Sequence, residues 1–218
     1  MKLSWKREIL PWCLFIAMVI VGAYYYPLLP SVVPSHFGLN GKPDGWMTKP
    51  IFFIAGLFPF LLVYLLLTFL PFFDPLKKKI EPRFNVILRL RDVVLVFTAV
   101  IFLITLKGAH DKILSVNVFG IAIGLLFIVM GNYMPKVPQN WFFGIRSPWS
   151  ISSEMVWKKT HILGGWLFTL AGIVYIVFVS LKLRPLLGLY VLIVAAIVPY
   201  AYSFFIFKKL QKTGSQAG

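Results

Sequence analysis

The stretch Ile51-Phe-Phe-Ile-Ala-Gly-Leu-Phe-Pro-Phe-Leu-Leu-Val-Tyr-Leu-Leu-Leu-Thr-Phe-Leu-Pro-Phe-Phe73 holds 23 residues without a charged side chain. A helix needs about 20 mostly apolar residues to cross the hydrocarbon core of a bilayer. The same pattern recurs outward along the chain. Residues 113–134 give 22 uncharged positions, 161–181 give 21, and 185–207 give 23. Core helices of soluble proteins are shorter, and a chain that is 59% hydrophobic exceeds the roughly 45–50% of ordinary globular domains.

Two weaker segments complete the set. Residues 9–26 form an 18-residue apolar run, and residues 93–106 one of only 14. The second is preceded by Arg89, Arg91 and Asp92, and a helix beginning near Arg83 spans if these cations snorkel to the headgroups. The first run ends in Tyr24-Tyr25-Tyr26-Pro27, not in a small-x-small cleavage site, so it reads as an uncleaved helix with an aromatic belt. The lone Cys13 can form no intramolecular disulfide. The expected fold is all-α: a polytopic membrane protein, a six-helix transmembrane bundle.

Charge gives orientation. The chain has 22 Lys+Arg against 7 Asp+Glu, a net +15. Such a balance can mark nucleic-acid binding, but the positions argue for a membrane. Sixteen basic residues fall before the first span, after the second and fourth, and after the sixth; six fall in the alternate loops. Positive residues stay in the cytoplasm, so both termini are expected there, in a multi-pass cell-membrane protein without direct nucleic-acid binding.

Two loops have content beyond turns. Residues 27–50, expected extracytoplasmic, carry Pro27, Pro30, Pro34 and Pro43, which block helix, and the turn pairs Asn40-Gly41 and Asp44-Gly45. The picture is a rigid folded cap with His36, Asp44 and Trp46 as candidate ligand-binding residues. His36 and Asp44 have no third metal-ligand type near them and fit no zinc spacing, so a loop-stabilising hydrogen bond is the reading. Residues 135–160, expected cytoplasmic, carry Trp141, Phe142, Phe143, Trp149 and Trp157, too apolar for a free loop. Ser152 or Ser153 suits a helix cap, and Glu154 and Lys158 are spaced for an i,i+4 ion pair. Arg146 suits a phosphate, an acidic partner or carbonyl ends. Gly120/Gly124 and Gly164-Gly165 suit close helix packing.

An enzyme would need an intramembrane nucleophile, acid/base pair or metal cluster. The uncharged runs offer none, the three histidines read as lying at loops or helix ends, and H-E-x-x-H and G-x-S-x-G are absent. No cofactor or metal is expected. A transporter or channel-like protein is an alternative, disfavoured by the lack of intramembrane charge; an accessory subunit of a membrane complex is another.

At the two loops the chain resembles the SdpI-type immunity protein family, whose members often carry an N-terminal DUF1648-type region. The first motif is Pro34-Ser-His36-Phe37 through Gly41-Lys-Pro43-Asp44-Gly45-Trp46. The second is Gly131-Asn132, Pro135, Asn140 and Gly144-Ile145-Arg146-Ser147-Pro148-Trp149, continuing into Trp157-Lys158-Lys159-Thr160-His161 and Gly164-Gly165. Ser147 stands where Thr is commoner. The resemblance implies a DUF1648-like region over 1–75, with helices one and two and the cap, and an SdpI-like region over 76–218, with helices three to six and the motif loop. It implies a membrane immunity and receptor protein of a Gram-positive cell, with the bilayer, a secreted membrane-active toxic peptide and a small cytoplasmic transcriptional repressor as partners. The candidate partner-binding residues of the inner loop are Asn132, Asn140, Arg146 and Trp149. The oligomeric state is left open.

Overall fold

A computed structural model describes residues 1–183 and 185–213. Arg184, one of the basic loop residues, and the polar tail 214–218 lie outside the described residues. The chain is 78% helical. Its order is α1 (Trp5–Tyr25), β1 (Val32–Phe37), β2 (Pro43–Thr48), α2 (Lys49–Phe73), α3 (Lys77–Ile80), α4 (Phe84–Asp111), α5 (Val116–Tyr133), α6 (Pro148–Ser152), α7 (Glu154–Ser180) and α8 (Pro185–Lys212), with short 3-10 turns after α1, α3 and α5. Among the described residues, five helices are long and apolar enough to cross a membrane: α1, α2, α5, α7 and α8. The short run at 93–106 and its charged foot form one uninterrupted 28-residue helix, α4.

The expectation of an all-α chain needs one correction. Residues 32–48 form an antiparallel hairpin pairing Val32 with Thr48, Val33 with Met47 and Pro34 with Trp46, with irregular register around His36. Prolines deny this segment helical N–H donors. Gly41, at φ +74°, supplies the left-handed turn conformation that glycine adopts at little cost. The Asn40 side chain accepts from the Lys42 amide at 3.0 Å.

The chain divides into two compact units. One comprises residues 2–68 and 91–123. Its core joins Met18 of α1, Val33 of the hairpin, Phe53 and Phe60 of α2, and Leu95 and Phe102 of α4. The hairpin tip is pinned: the Leu114 amide donates to the Gly41 carbonyl at 2.9 Å, and a Cβ at Gly41 would lie 2.4 Å from Leu114 O.

The other unit comprises Met1, residues 69–90 and residues 124–218. Ile80, Phe84, Ile87, Leu88, Val137 and Trp157 supply much of its core. Here α5 and α7 run antiparallel in backbone contact at two glycine pairs. A Cβ on Gly124 would stand 2.9 Å from Gly172 O, and one on Gly131 2.7 Å from Gly165 O. The heptad spacing Gly124-x6-Gly131 against Gly165-x6-Gly172 sets this crossing. Small residues let membrane helices approach closely.

Gly172→Ala should therefore destabilise, although alanine gains about 1 kcal/mol of intrinsic helix propensity over glycine. Its Cβ would sit 2.5 Å from Gly124 O, and such overpacking costs about 1–3 kcal/mol. A lower thermal midpoint in detergent is the expected reading. An unchanged or raised midpoint would show that the helices can separate freely.

Candidate functional site

The hairpin places its three sequence-derived candidates on one exposed face. Strand alternation turns Asp44, Trp46 and Thr48 outward while Met47 packs on the core beneath. Trp46 is 55% exposed. His36 Nδ1 is hydrogen-bonded to Asp44 Oδ1, as expected, with side chains 75% and 52% exposed. Gly45 makes room for this pair, since a Cβ there would meet the His36 Cβ at 2.8 Å. The face thus offers an indole, an imidazole and a carboxylate side by side. That set can hold an amphipathic partner through apolar contact plus directional hydrogen bonds.

The second motif folds into a hydrogen-bonded knot, and each residue's type has a local reason. Asn140 is fully buried. Its Nδ2 donates to the carbonyls of Pro138 and Phe143 (2.8 and 3.1 Å), and its Oδ1 accepts from the amides of Phe142 and Phe143 (2.8 and 2.6 Å). Gly144 adopts φ +95° and lies against His161. The Ile145 amide donates to His161 Nε2 at 3.1 Å, and His161 Nδ1 faces the Trp157 carbonyl at 2.8 Å. A carbonyl can only accept and an amide N–H can only donate, so these partners fix the neutral Nδ1–H tautomer. The imidazole also stacks on Trp157, centroids 4.0 Å apart. His161 is thus a buried residue two turns inside α7, not one at a loop.

Arg146 is exposed and donates to the Trp141 carbonyl at 2.7 Å. Ser147 caps α6, accepting from the Ser150 amide at 3.0 Å, and its hydroxyl meets Ser203 of α8 at 2.6 Å. Pro148 takes the first helical position, where its missing N–H costs nothing. Trp149 packs edge-on against Phe204 at 4.9 Å. Of the four inner-loop candidates, Asn140 and Arg146 share the loop, Trp149 joins it to α8, and Asn132 stands apart, exposed, donating to Ile128 O at 2.8 Å. Ser153, one of the two expected caps, accepts from the Val156 amide at the start of α7. The expected Glu154–Lys158 pair is replaced by Glu154 with Lys79, at 2.8 Å, and Lys79 also holds Gln139.

One constellation was missed by sequence reasoning. Arg91 does not snorkel; its side chain is 0% exposed. Nη1 donates to both Glu8 carboxylate oxygens (2.9 and 3.0 Å) and to Thr68 Oγ1 (3.2 Å). Nη2 donates to the Arg7 carbonyl (2.8 Å) and Asp92 Oδ1 (2.9 Å), and Nε to Asp92 Oδ1 (3.0 Å). Tyr64 donates to Glu8 Oε2 at 2.9 Å, and its ring lies 5.6 Å from the guanidinium carbon. The cluster ties α1, α2 and α4 together. The only local signal was a glutamate near the start of one apolar run and an arginine near the start of another.

Long apolar helices, an ordered hairpin and a knotted motif loop define a multi-pass helical membrane protein. Comparison with known proteins specifies it further. Residues 13–63, which contain the hairpin, match the Domain of unknown function (DUF1648). Residues 136–203, running from the motif loop to the serine on α8 that it touches, match the SdpI/YfhL protein family. The chain is thus similar to the SdpI/YfhL family over this second region and to DUF1648 over the first. It is 23% identical over 210 residues to the Immunity protein SdpI of Bacillus subtilis (strain 168), covering 94% of this chain and 98% of that protein. No solved structure gives a significant match.

Proposed function

We propose that this chain is a membrane immunity protein that protects its cell against a secreted, membrane-active toxic peptide. Likeness to the immunity protein SdpI along nearly the whole of both chains carries the reading. In this account the hairpin face of His36, Asp44 and Trp46 meets the peptide. The loop at 135–160, with Arg146 and Trp149, engages a small cytoplasmic repressor when the peptide is bound. Such coupling requires the peptide to bind two arrangements of the chain with different affinity. We read α4 as a sixth crossing. Its 28 residues span about 42 Å at 1.5 Å per residue. With the excess of basic residues inside, both termini are then cytoplasmic and the hairpin faces out. Residues 1–75 are then the sensing region and residues 76–218 the signalling region, although residues 91–123 of the second belong to the same compact unit as residues 2–68.

Expression in a toxin-sensitive cell tests the reading. The wild-type chain should raise survival under the candidate peptide. Trp46→Ala should cut the protective concentration range about tenfold or more, as truncation of a central aromatic anchor does, with the protein still present in the membrane. Equal killing with and without the chain would remove the proposal. A transporter reading draws on the buried Arg91 cluster, since ionisable groups at membrane depth often mark ion paths. Protein-dependent ion flux in liposomes would favour it.

A further inference from the structure

In the unit of residues 2–68 and 91–123, α1 and α2 leave a groove of about 370 Å³ between them, lined by Val19, Gly22, Ala23, Tyr26, Phe53 and Leu57. Gly22 gives it depth: a Cβ there would stand 3.3 Å from the Phe53 ring. The groove starts at Tyr26, where α1 ends, and descends to Val19, seven residues or about 10 Å toward the helix middle.

One charge stands at the upper rim. Lys49, the first residue of α2, holds Nζ 4.6 Å from the Tyr26 ring centroid. The ammonium is fixed there by a 3.0 Å bond to the Leu29 carbonyl, and its backbone amide by a 2.9 Å bond to Ser31 O. Among the described residues, the ion pairs of the chain involve other cations and leave Lys49 without a carboxylate. An ammonium has three N–H donors; Leu29 takes one, and two remain for an anion.

We propose that this groove holds one acyl chain of an anionic phospholipid, with the phosphate on Lys49. The geometry matches the molecule: an anion at the helix ends, and hydrocarbon running down an apolar channel into the bilayer. A zwitterionic lipid brings its own cation beside Lys49 and loses the advantage. The proposal does not depend on toxin binding.

Native mass spectrometry of the intact chain, exposed to vesicles of dioleoylphosphatidylglycerol or dioleoylphosphatidylcholine, tests it. One phosphatidylglycerol per chain should be retained in preference to phosphatidylcholine. Lys49→Gln should lower that retention about fivefold, the effect of one lysine on an anionic lipid. Ala23→Phe adds a ring at an exposed position of the groove; it should abolish retention and leave the thermal midpoint unchanged. Equal retention of both lipids, or wild-type retention by both variants, would overturn the assignment. So would finding neither lipid retained, the outcome expected if the groove takes a peptide instead. Should Lys49→Gln fail to fold, Ala23→Phe decides alone.

Discussion

Arg91→Ala is expected to destabilise the chain by about 3–5 kcal/mol, the usual result of deleting one partner of a buried ion cluster. The guanidinium serves Glu8, Asp92, Thr68 and the Arg7 carbonyl together. Without it, two carboxylates whose side chains are only 18% and 17% exposed face each other with no buried cation between them. Arg91→Lys keeps the charge but not the planar guanidinium whose Nη1 meets Glu8 while Nε and Nη2 meet Asp92, so an intermediate loss is expected. Combining Arg91→Ala with Glu8→Gln and Asp92→Asn removes the stranded charges and should restore part of the stability. Thermal unfolding in detergent, followed by loss of the monodisperse peak, gives all three values. An Arg91→Ala chain as stable as the wild type would mean that the cluster is solvated and contributes little, as exposed ion pairs do.

Gly144→Ala should be nearly as damaging, although the glycine is exposed. Its φ of +95° disfavours any Cβ, by about 1–2 kcal/mol for a residue forced into left-handed backbone. The added Cβ would lie 2.3 Å from His161 Nε2, so the imidazole must leave. Moving it breaks the Ile145 amide bond, and an orphaned buried donor costs about 1–3 kcal/mol. The combined loss is about 2–5 kcal/mol, centred on the motif loop, and limited proteolysis there should accelerate. His161→Ala removes both the clash and the bond. The double variant should therefore lose less than the sum of the two singles, the signature of residues in contact. Strict additivity would show that the two residues do not act through each other.

The apolar runs announced the membrane helices because crossing a bilayer leaves a one-dimensional, length-limited signature. The hairpin was half legible. Its prolines and Asn40-Gly41 excluded helix and marked the turn, but Pro34 within β1 and the irregular register at His36 remove the plain alternation by which strands are read. In the motif loop, residue types were visible and their work was not. Asn140 was read as a partner-binding residue, and its four bonds lie within the loop itself. The Lys79–Glu154 pair joins residues 75 apart in sequence, and Arg91–Glu8 residues 83 apart. No local spacing rule reaches so far. A cation bordering an apolar run is ordinarily read as snorkelling, and only the fold brings a carboxylate to Arg91. The glycine heptads are visible in the sequence, but the pairing of Gly124 with Gly172 and Gly131 with Gly165 joins two separate helices, whereas the Gly120/Gly124 spacing lies within one.

The peptide and repressor assignments both depend on the hairpin and the motif loop facing opposite sides of the membrane. Single cysteines at Lys42 and Arg146, placed one at a time in a Cys13→Ser background, can be labelled in intact cells with a membrane-impermeant thiol reagent. The account predicts that Lys42→Cys reacts from outside and Arg146→Cys reacts only after permeabilisation. Labelling of both from one side, or the reverse pattern, would contradict it.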